Sequence, residues 1–233
     1  MGRVMQKRIV RKLDLELLLA QFEPNPVPRP DLEQYTIPAS AAATILYIAA
    51  YTYGDIIGKT VLDLGCGTGR LALGAAFLGA EQVVGVDIDR YSIKAALENG
   101  IKADLKSKAQ WVAADINCID GHFDTVLQNP PYGVQKREAD RKFLEKALET
   151  GRVIYSLHKS LHDDIAFVKT LKANRENFFL VSPSPFLKKF IEERGGRIRV
   201  VQAMVMTIPH MFDFHTKRKH EFAVDLYIIE RKK

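Results

Sequence analysis

The apolar pattern has helical spacing near the start of the chain and strand spacing from Lys59 onward. Leu13, Leu17 and Ala20 recur at helical intervals, so residues 4–22 read as a helix carrying them on one face. Four prolines between Pro24 and Pro30 then impose an extended connector, because each fixes φ and lacks an N–H. A second helix is expected over residues 38–53, with Pro38 suited to its first turn and Gly54 just past its end.

Beyond Lys59, strand and helix patterns alternate. Strands are expected at 60–64, 82–87, 110–114, 123–128 and 152–157. Helices are expected from the glycine turn to Leu78, from the cap Asp89 to about Asn99, and over 138–150. Such alternation implies a parallel sheet covered on both faces. Two long β-branched runs, 198–207 and 222–230, predict a closing antiparallel hairpin. Residues 163–174 and 185–194 have helical patterns, but the pattern does not place them in the fold.

Composition narrows the class. Hydrophobic residues make up 47% and charged residues 27%, which excludes a wholly disordered chain. Cys66 and Cys118 are the only cysteines, so a disulfide-stapled secreted scaffold is excluded and a reducing, cytoplasmic setting is expected. With no Cys-x-x-Cys pair, no metal site is expected. The most apolar stretch, 39–51, falls short of the ~20 residues a membrane span needs. A net charge of +6 favours a polyanionic partner without establishing one.

The turn Asp63-Leu64-Gly65-Cys66-Gly67-Thr68-Gly69 follows a strand and opens a helix. A dinucleotide fingerprint would place its third glycine where this chain has Arg70. The observed G-x-G-x-G, with an acid two residues earlier, resembles the turn of S-adenosylmethionine-dependent methyltransferases. Asp63 suits a cationic methionine amine, whereas it would repel a pyrophosphate. Asp87 ends the next strand at the spacing where a carboxylate meets a ribose diol. Asp115 ends the third, with Ile116 beside it to pack against an adenine ring. Each acid alone could be a cap or turn residue; three at successive strand ends argue for one ligand. Cys66 reads as a small packing residue and Trp111 as core.

The fourth strand runs into Asn129-Pro130-Pro131-Tyr132. The prolines stop the sheet and leave a rigid set of acceptors. The Asn129 side-chain carbonyl and the Pro130 main-chain carbonyl can both accept from one planar NH₂ group, with Tyr132 stacking on the ring that carries it. That suits methylation of a conjugated amine whose lone pair is delocalised, with no histidine base needed.

Together these motifs resemble the amino-methyltransferases of adenine, guanine, cytosine and glutamine amides. The segments Leu32 to Tyr35, Asp63 to Gly67, Phe123 to Val126 before Asn129, Tyr155 to Ser160, and Phe214-His215 before Lys217-Arg218-Lys219 narrow the match. In these the chain is similar to archaeal members of the methyltransferase-like protein five family. The resemblance implies an α/β Rossmann-like methyltransferase with a mostly parallel seven-stranded sheet and an antiparallel C-terminal hairpin. Residues 1–58 would form a helical lid and cofactor-contacting segment, and 59–233 the core, in one structural domain. It implies transfer of methyl from S-adenosylmethionine to N6 of an adenosine in small-subunit ribosomal RNA.

By the same resemblance the cofactor would be held by Gln34, Thr36 and Ile37 from the lid and by Asp63, Gly65, Cys66, Gly67, Thr68 and Gly69 from the turn. Asp87, Ile88, Asp115, Ile116 and Asn129 would complete the cradle. Ile37 stands where the family commonly has threonine. Eukaryotic members pair with a small zinc-binding activator protein, a further expected partner.

His215, Lys217, Arg218 and Lys219 form a basic loop suited to RNA phosphates, and Arg3, Lys7, Arg8, Arg11 and Lys12 form a second cluster. Either can equally be a solvated face. Glutamine-amide methylation of a translation factor, guanine N2 methylation and a cofactor-binding assembly protein with little turnover remain alternatives.

Overall fold

The computed structural model of the chain describes residues 9–29, 32, 34, 36–131, 139–162, 164–173, 178–209 and 219–232. Five parallel strands come first: β1 Thr60–Leu64, β2 Gln82–Asp87, β3 Ala109–Ala113, β4 Phe123–Gln128 and β5 Gly151–Lys159. Three more follow: β6 Phe178–Leu180, β7 Gly196–Pro209 and β8 Lys219–Arg231. The sheet order is β3-β2-β1-β4-β5-β8-β7-β6, with β8 antiparallel to both neighbours and β6 antiparallel to β7. The order reverses between β1 and β4, which makes the carboxyl ends of those strands a topological switch point.

Alternation along each strand splits the core in two. One face buries Val61, Val83, Leu127, Tyr155 and Ile228 under α1 Lys12–Ala20, α2 Ala39–Tyr47 and α3 Arg70–Leu78. The other buries Leu62, Val86, Val126, Ile154 and Tyr227 under α5 Ala139–Thr150 and α7 Pro185–Glu193. Helix α4, Arg90–Lys102, packs on β2 and β3, and α6, Ile165–Ala173, packs on β7 and β8. Helix α2 continues as a π-helical turn, Ile48–Thr52.

Three features differ from the sequence expectation. The sheet has eight strands rather than seven, because Phe178–Leu180 pairs with Met204, Ala203 and Gln202. Three residues are too few for an alternation to register. Helix α1 begins at Lys12, and the described residues before it, Ile9 to Arg11, are not helical. It buries Leu15 and Leu19, while Leu13 and Leu17 are more than half exposed. Gly74 on α3 makes room for one of them: a Cβ there would lie 2.3 Å from Leu46 and 3.2 Å from Leu19, so the glycine lets both leucines pack close to α3.

Trp111 is half-buried and lies across Gly85 and Gly69, whose added Cβ atoms would each meet the indole at 2.5 Å. Gly85→Ala is therefore expected to overpack the centre of β2 and cost about 1–3 kcal/mol. Urea unfolding followed by the fluorescence of the single tryptophan measures this; an unchanged midpoint would show that the ring yields freely.

Candidate active site at the carboxyl ends of β1, β2 and β4

The glycine turn between β1 and α3 hooks onto β2. The Gly65 and Cys66 N–H groups both donate to Val86 O, at 2.8 and 2.9 Å. Gly65, Gly67 and Gly69 all have positive φ, at 69°, 53° and 82°, so side chains there would be strained. Asp87 Oδ2 accepts from Gly67 N at 2.8 Å and Oδ1 from Asp89 N at 2.9 Å. Asp63 is 1% exposed and accepts from Ala72 N at 2.9 Å. Burial pushes the Asp63 carboxyl up to about 7 and raises Asp87 as well. Burial also raises the Cys66 thiol well above its usual range, which fits a packing residue.

These groups line a cavity of about 540 Å³, a size suited to a ligand of cofactor dimensions. From the turn it takes Asp63, Gly65, Cys66, Gly67 and Thr68, and from β2 and β3 it takes Asp87, Ile88, Asp115 and Ile116. Gln34, Thr36 and Ile37 close it from the N-terminal side, and Asn129 and Pro131 from β4. Gly69 packs under Trp111, next to the wall residue Thr68. Pro130 is buried beside Asn129 but is not on the wall. Tyr132 and the basic residues His215, Lys217 and Arg218 lie outside the described residues. Lys219 is described only as the start of β8.

Sequence reading missed the residues that fasten the N-terminal segment. Asn25 Nδ2 donates to Gln34 Oε1, Asp89 Oδ2 and Ser92 Oγ at 2.9–3.1 Å. Gln34 Nε2 in turn donates to Asp89 Oδ2 at 3.0 Å. Burial pushes Asp89 up, but these donors and Tyr91 N outweigh it and hold the carboxyl below its usual range. Asn99 spans from Glu23 N and O to Thr68 O. Arg70 donates to Ile37 O and Phe22 O, at 2.5 and 3.0 Å. Lone polar residues give no pattern to find; at Arg70 the one signal was its place where a dinucleotide turn has glycine. Phe143 from α5 packs against Gly65, where a Cβ would lie 2.8 Å from its ring.

Behind the Asn129 turn, Gln128 Nε2 donates to Ser156 Oγ, which contacts His158 Nε2, each at 2.8 Å. Burial lowers His158 to about 4, so its ring is neutral at pH 7.

The strand order, the glycine turn at the switch point and the three strand-end acids define a Rossmann-like methyltransferase dependent on S-adenosylmethionine. The donor set fits that cofactor: the acids follow one another along one sheet edge, and the buried Thr68 Oγ1 on the wall lacks a hydrogen-bond partner. The model of the ribosomal protein L11 methyltransferase family matches residues 42–130. An uncharacterized protein of Methanocaldococcus jannaschii is 37% identical over 96% of this chain and 95% of its own length. The rRNA N(6)-adenosine-methyltransferase Mettl5 of Drosophila melanogaster is 32% identical over 85% of this chain and 86% of its own. The crystal structure of a candidate RNA methyltransferase from Pyrococcus horikoshii superposes with a TM-score of 0.80 at 33% identity, covering 97% of this chain and all of that one. The chain belongs to the methyltransferase-like protein five (METTL5) family.

The raised Asp63 carboxyl has a consequence for stability. The folded chain holds a proton that the unfolded chain releases near pH 3.8. That contribution is complete below pH about 4 and is lost as the pH rises through about 7. Denaturant unfolding of the ligand-free chain should lose more stability across this window than Asp63→Asn does; parallel curves would clear Asp63 of responsibility.

Proposed function

We propose that this chain transfers a methyl group from S-adenosylmethionine to the N6 amine of an adenosine in structured RNA, the small-subunit ribosomal RNA. The observation that carries the reading is the Asn129-Pro130-Pro131 turn. It ends β4 and brings Asn129 and Pro131 to the same cavity wall as the glycine turn and the strand-end acids. Near full-length kinship with an rRNA N(6)-adenosine methyltransferase supports the substrate class.

When bound, the cofactor supplies an electrophilic methyl group on a sulfonium. The chain's own residues provide position. Asp87 holds the ribose, and Asp115 and Ile116 the adenine. Gln34, Thr36 and Ile37 cover the site as part of a lid spanning residues 1–58. The Asn129 side-chain carbonyl and the Pro130 main-chain carbonyl accept from the two hydrogens of the target amine, and Tyr132 stacks on its ring. This raises electron density on nitrogen and aims its lone pair at the methyl, so orientation supplies most of the rate. The methylated nitrogen becomes cationic and sheds its proton readily, so no base is needed. An adenosine in an unpaired loop or junction reaches the turn at lower cost than one inside a duplex.

His215, Lys217, Arg218 and Lys219, on the connection from β7 to β8, would neutralise phosphates. A small zinc-binding activator protein seated on a sheet edge belongs to the same proposal, as does a cytoplasmic setting. Among the described residues no helix is long and apolar enough to cross a membrane.

The test offers methyl-labelled cofactor to naked small-subunit RNA, assembled subunits and a translation release factor, with products identified by mass spectrometry. N6-methyladenosine is expected from RNA, and Asn129→Ala should lower its formation by about 100-fold or more while cofactor binding persists. Label confined to protein would replace the substrate with a glutamine amide. Binding of cofactor and RNA without label would favour an assembly factor.

A further inference from the structure

The order of strand ends assigns each part of the cofactor a place. Asp115 and Ile116 follow β3, Asp87 ends β2, the glycine turn follows β1, and Asn129 follows β4. With the nucleoside over β3 and β2 and the methyl directed at Asn129, the methionine tail must lie over the turn and the start of α3. That tail is a zwitterion. Asp63 accounts for its ammonium group; its carboxylate needs donors.

Two cavity-lining residues at this place carry unused donors. Thr68 is buried, and among the described residues its Oγ1 has no hydrogen-bond partner. Arg70, the first residue of α3, donates through its two Nη atoms to Ile37 O and Phe22 O, while its buried Nε has no partner among them. Among the described residues no carboxylate pairs with Arg70. Two carbonyl dipoles face its cation. Burial lowers its pKa, as it does for any cation held out of water without a counter-charge. A half-buried cation of this kind is stabilised by an anionic ligand.

We infer that Arg70, with the Thr68 hydroxyl, forms the carboxylate-binding half of the methionine subsite, opposite Asp63 as the ammonium-binding half. The inference rests on the S-adenosylmethionine reading of the cavity; it gives Thr68 a partner on the cofactor and extends the site to Arg70, outside the glycine and acid motifs. Arg70 then has two tasks on one guanidinium: it ties residues 22 and 37 to α3 and it recognises the charged tail beneath them. Lys142 is the other cation on the wall, exposed on α5.

Calorimetry on the full chain distinguishes these tasks by comparing S-adenosylmethionine with decarboxylated S-adenosylmethionine, which lacks only the carboxylate. The unmodified chain should bind the decarboxylated compound about 10–100-fold more weakly, the range for hydrogen bonds to a charged group. Arg70→Met should lose about that factor for S-adenosylmethionine and little for the decarboxylated compound, with Arg70→Lys intermediate. Thr68→Val should show a smaller loss with the same selectivity, and it serves where Arg70→Met does not fold. Equal weakening of both ligands by Arg70→Met would reduce Arg70 to a fastening of the N-terminal segment and overturn the assignment. So would equal affinities in the unmodified chain, or a carboxylate-selective loss in Lys142→Met instead. Failure of the unmodified chain to bind either compound would overturn the cofactor reading itself, a result distinct from these.

Discussion

Two carboxylates kept out of water at the ends of adjacent strands set the geometry on which the rest of this structure depends. Asp63 and Asp87 are each less than one tenth exposed, and each is met by main-chain N–H groups instead of a cation. Burying a carboxylate is costly, and backbone donors offset that cost only if the backbone presents them at the right angle. The turn does so by taking Gly65, Gly67 and Gly69 through left-handed conformations. Asp87 thereby fixes the turn to β2, and Asp63 fixes α3 to β1. The same bonds that satisfy the acids shape the floor of the cavity. Some burial cost remains, as the raised Asp63 carboxyl shows. A cationic ligand group beside Asp63 would remove it, so the site is more stable filled.

The N-terminal segment depends on this floor in a different way. Its proline-rich connector forms no ladder with the sheet, so side chains from α3 and α4 do the fastening. Arg70 takes two carbonyls, Asn99 bridges Glu23 to Thr68, and Asp89 gathers Asn25, Gln34 and Ser92. Each anchor is on the cavity wall or bonds a residue that is: Arg70 is on it, Asn99 reaches Thr68, and Asp89 holds Gln34 and Ser92. Covering the cofactor and shaping its cradle are therefore one mechanical problem here.

The sheet was largely legible in the sequence because its strands are continuous apolar runs ended by glycine or aspartate. β1, β2 and β4 begin and end where the pattern places them. Helix α1 was less legible: leucines at 13, 15, 17, 18 and 19 support more than one stripe, and packing against α2 and α3 buries Leu15 and Leu19, the latter beside Gly74. β6 left no periodic trace, since its three residues owe their conformation to β7. The cavity wall was legible where motifs carry it, at the glycine turn, the three acids and Asn129. Arg70, Asn25 and Asn99 were not, because most of their partners lie more than 30 residues away in sequence: main-chain groups for Arg70 and Asn99, and the Asp89 and Ser92 side chains for Asn25. Gly69 belongs to the motif by spacing yet serves Trp111, so a spacing rule cannot separate its packing role from ligand contact.

The acceptor side is fixed from behind. Gln128, the last residue of β4, is locked through Ser156 to a buried neutral His158, and the next residue, Asn129, reaches the cavity. The anchor is uncharged because burial keeps the His158 ring neutral. The β7–β8 hairpin supplies what the turn lacks. Pairing between β5 and β8 stops at Lys159 and Val224, while β8 continues to pair with β7 as far as Lys219 and Pro209. Those last rungs project beyond the carboxyl end of β5, the edge of the sheet where the β4 turn emerges. In the RNA reading, the chemistry sits on the rigid switch point and contact with the larger substrate falls to the projecting hairpin.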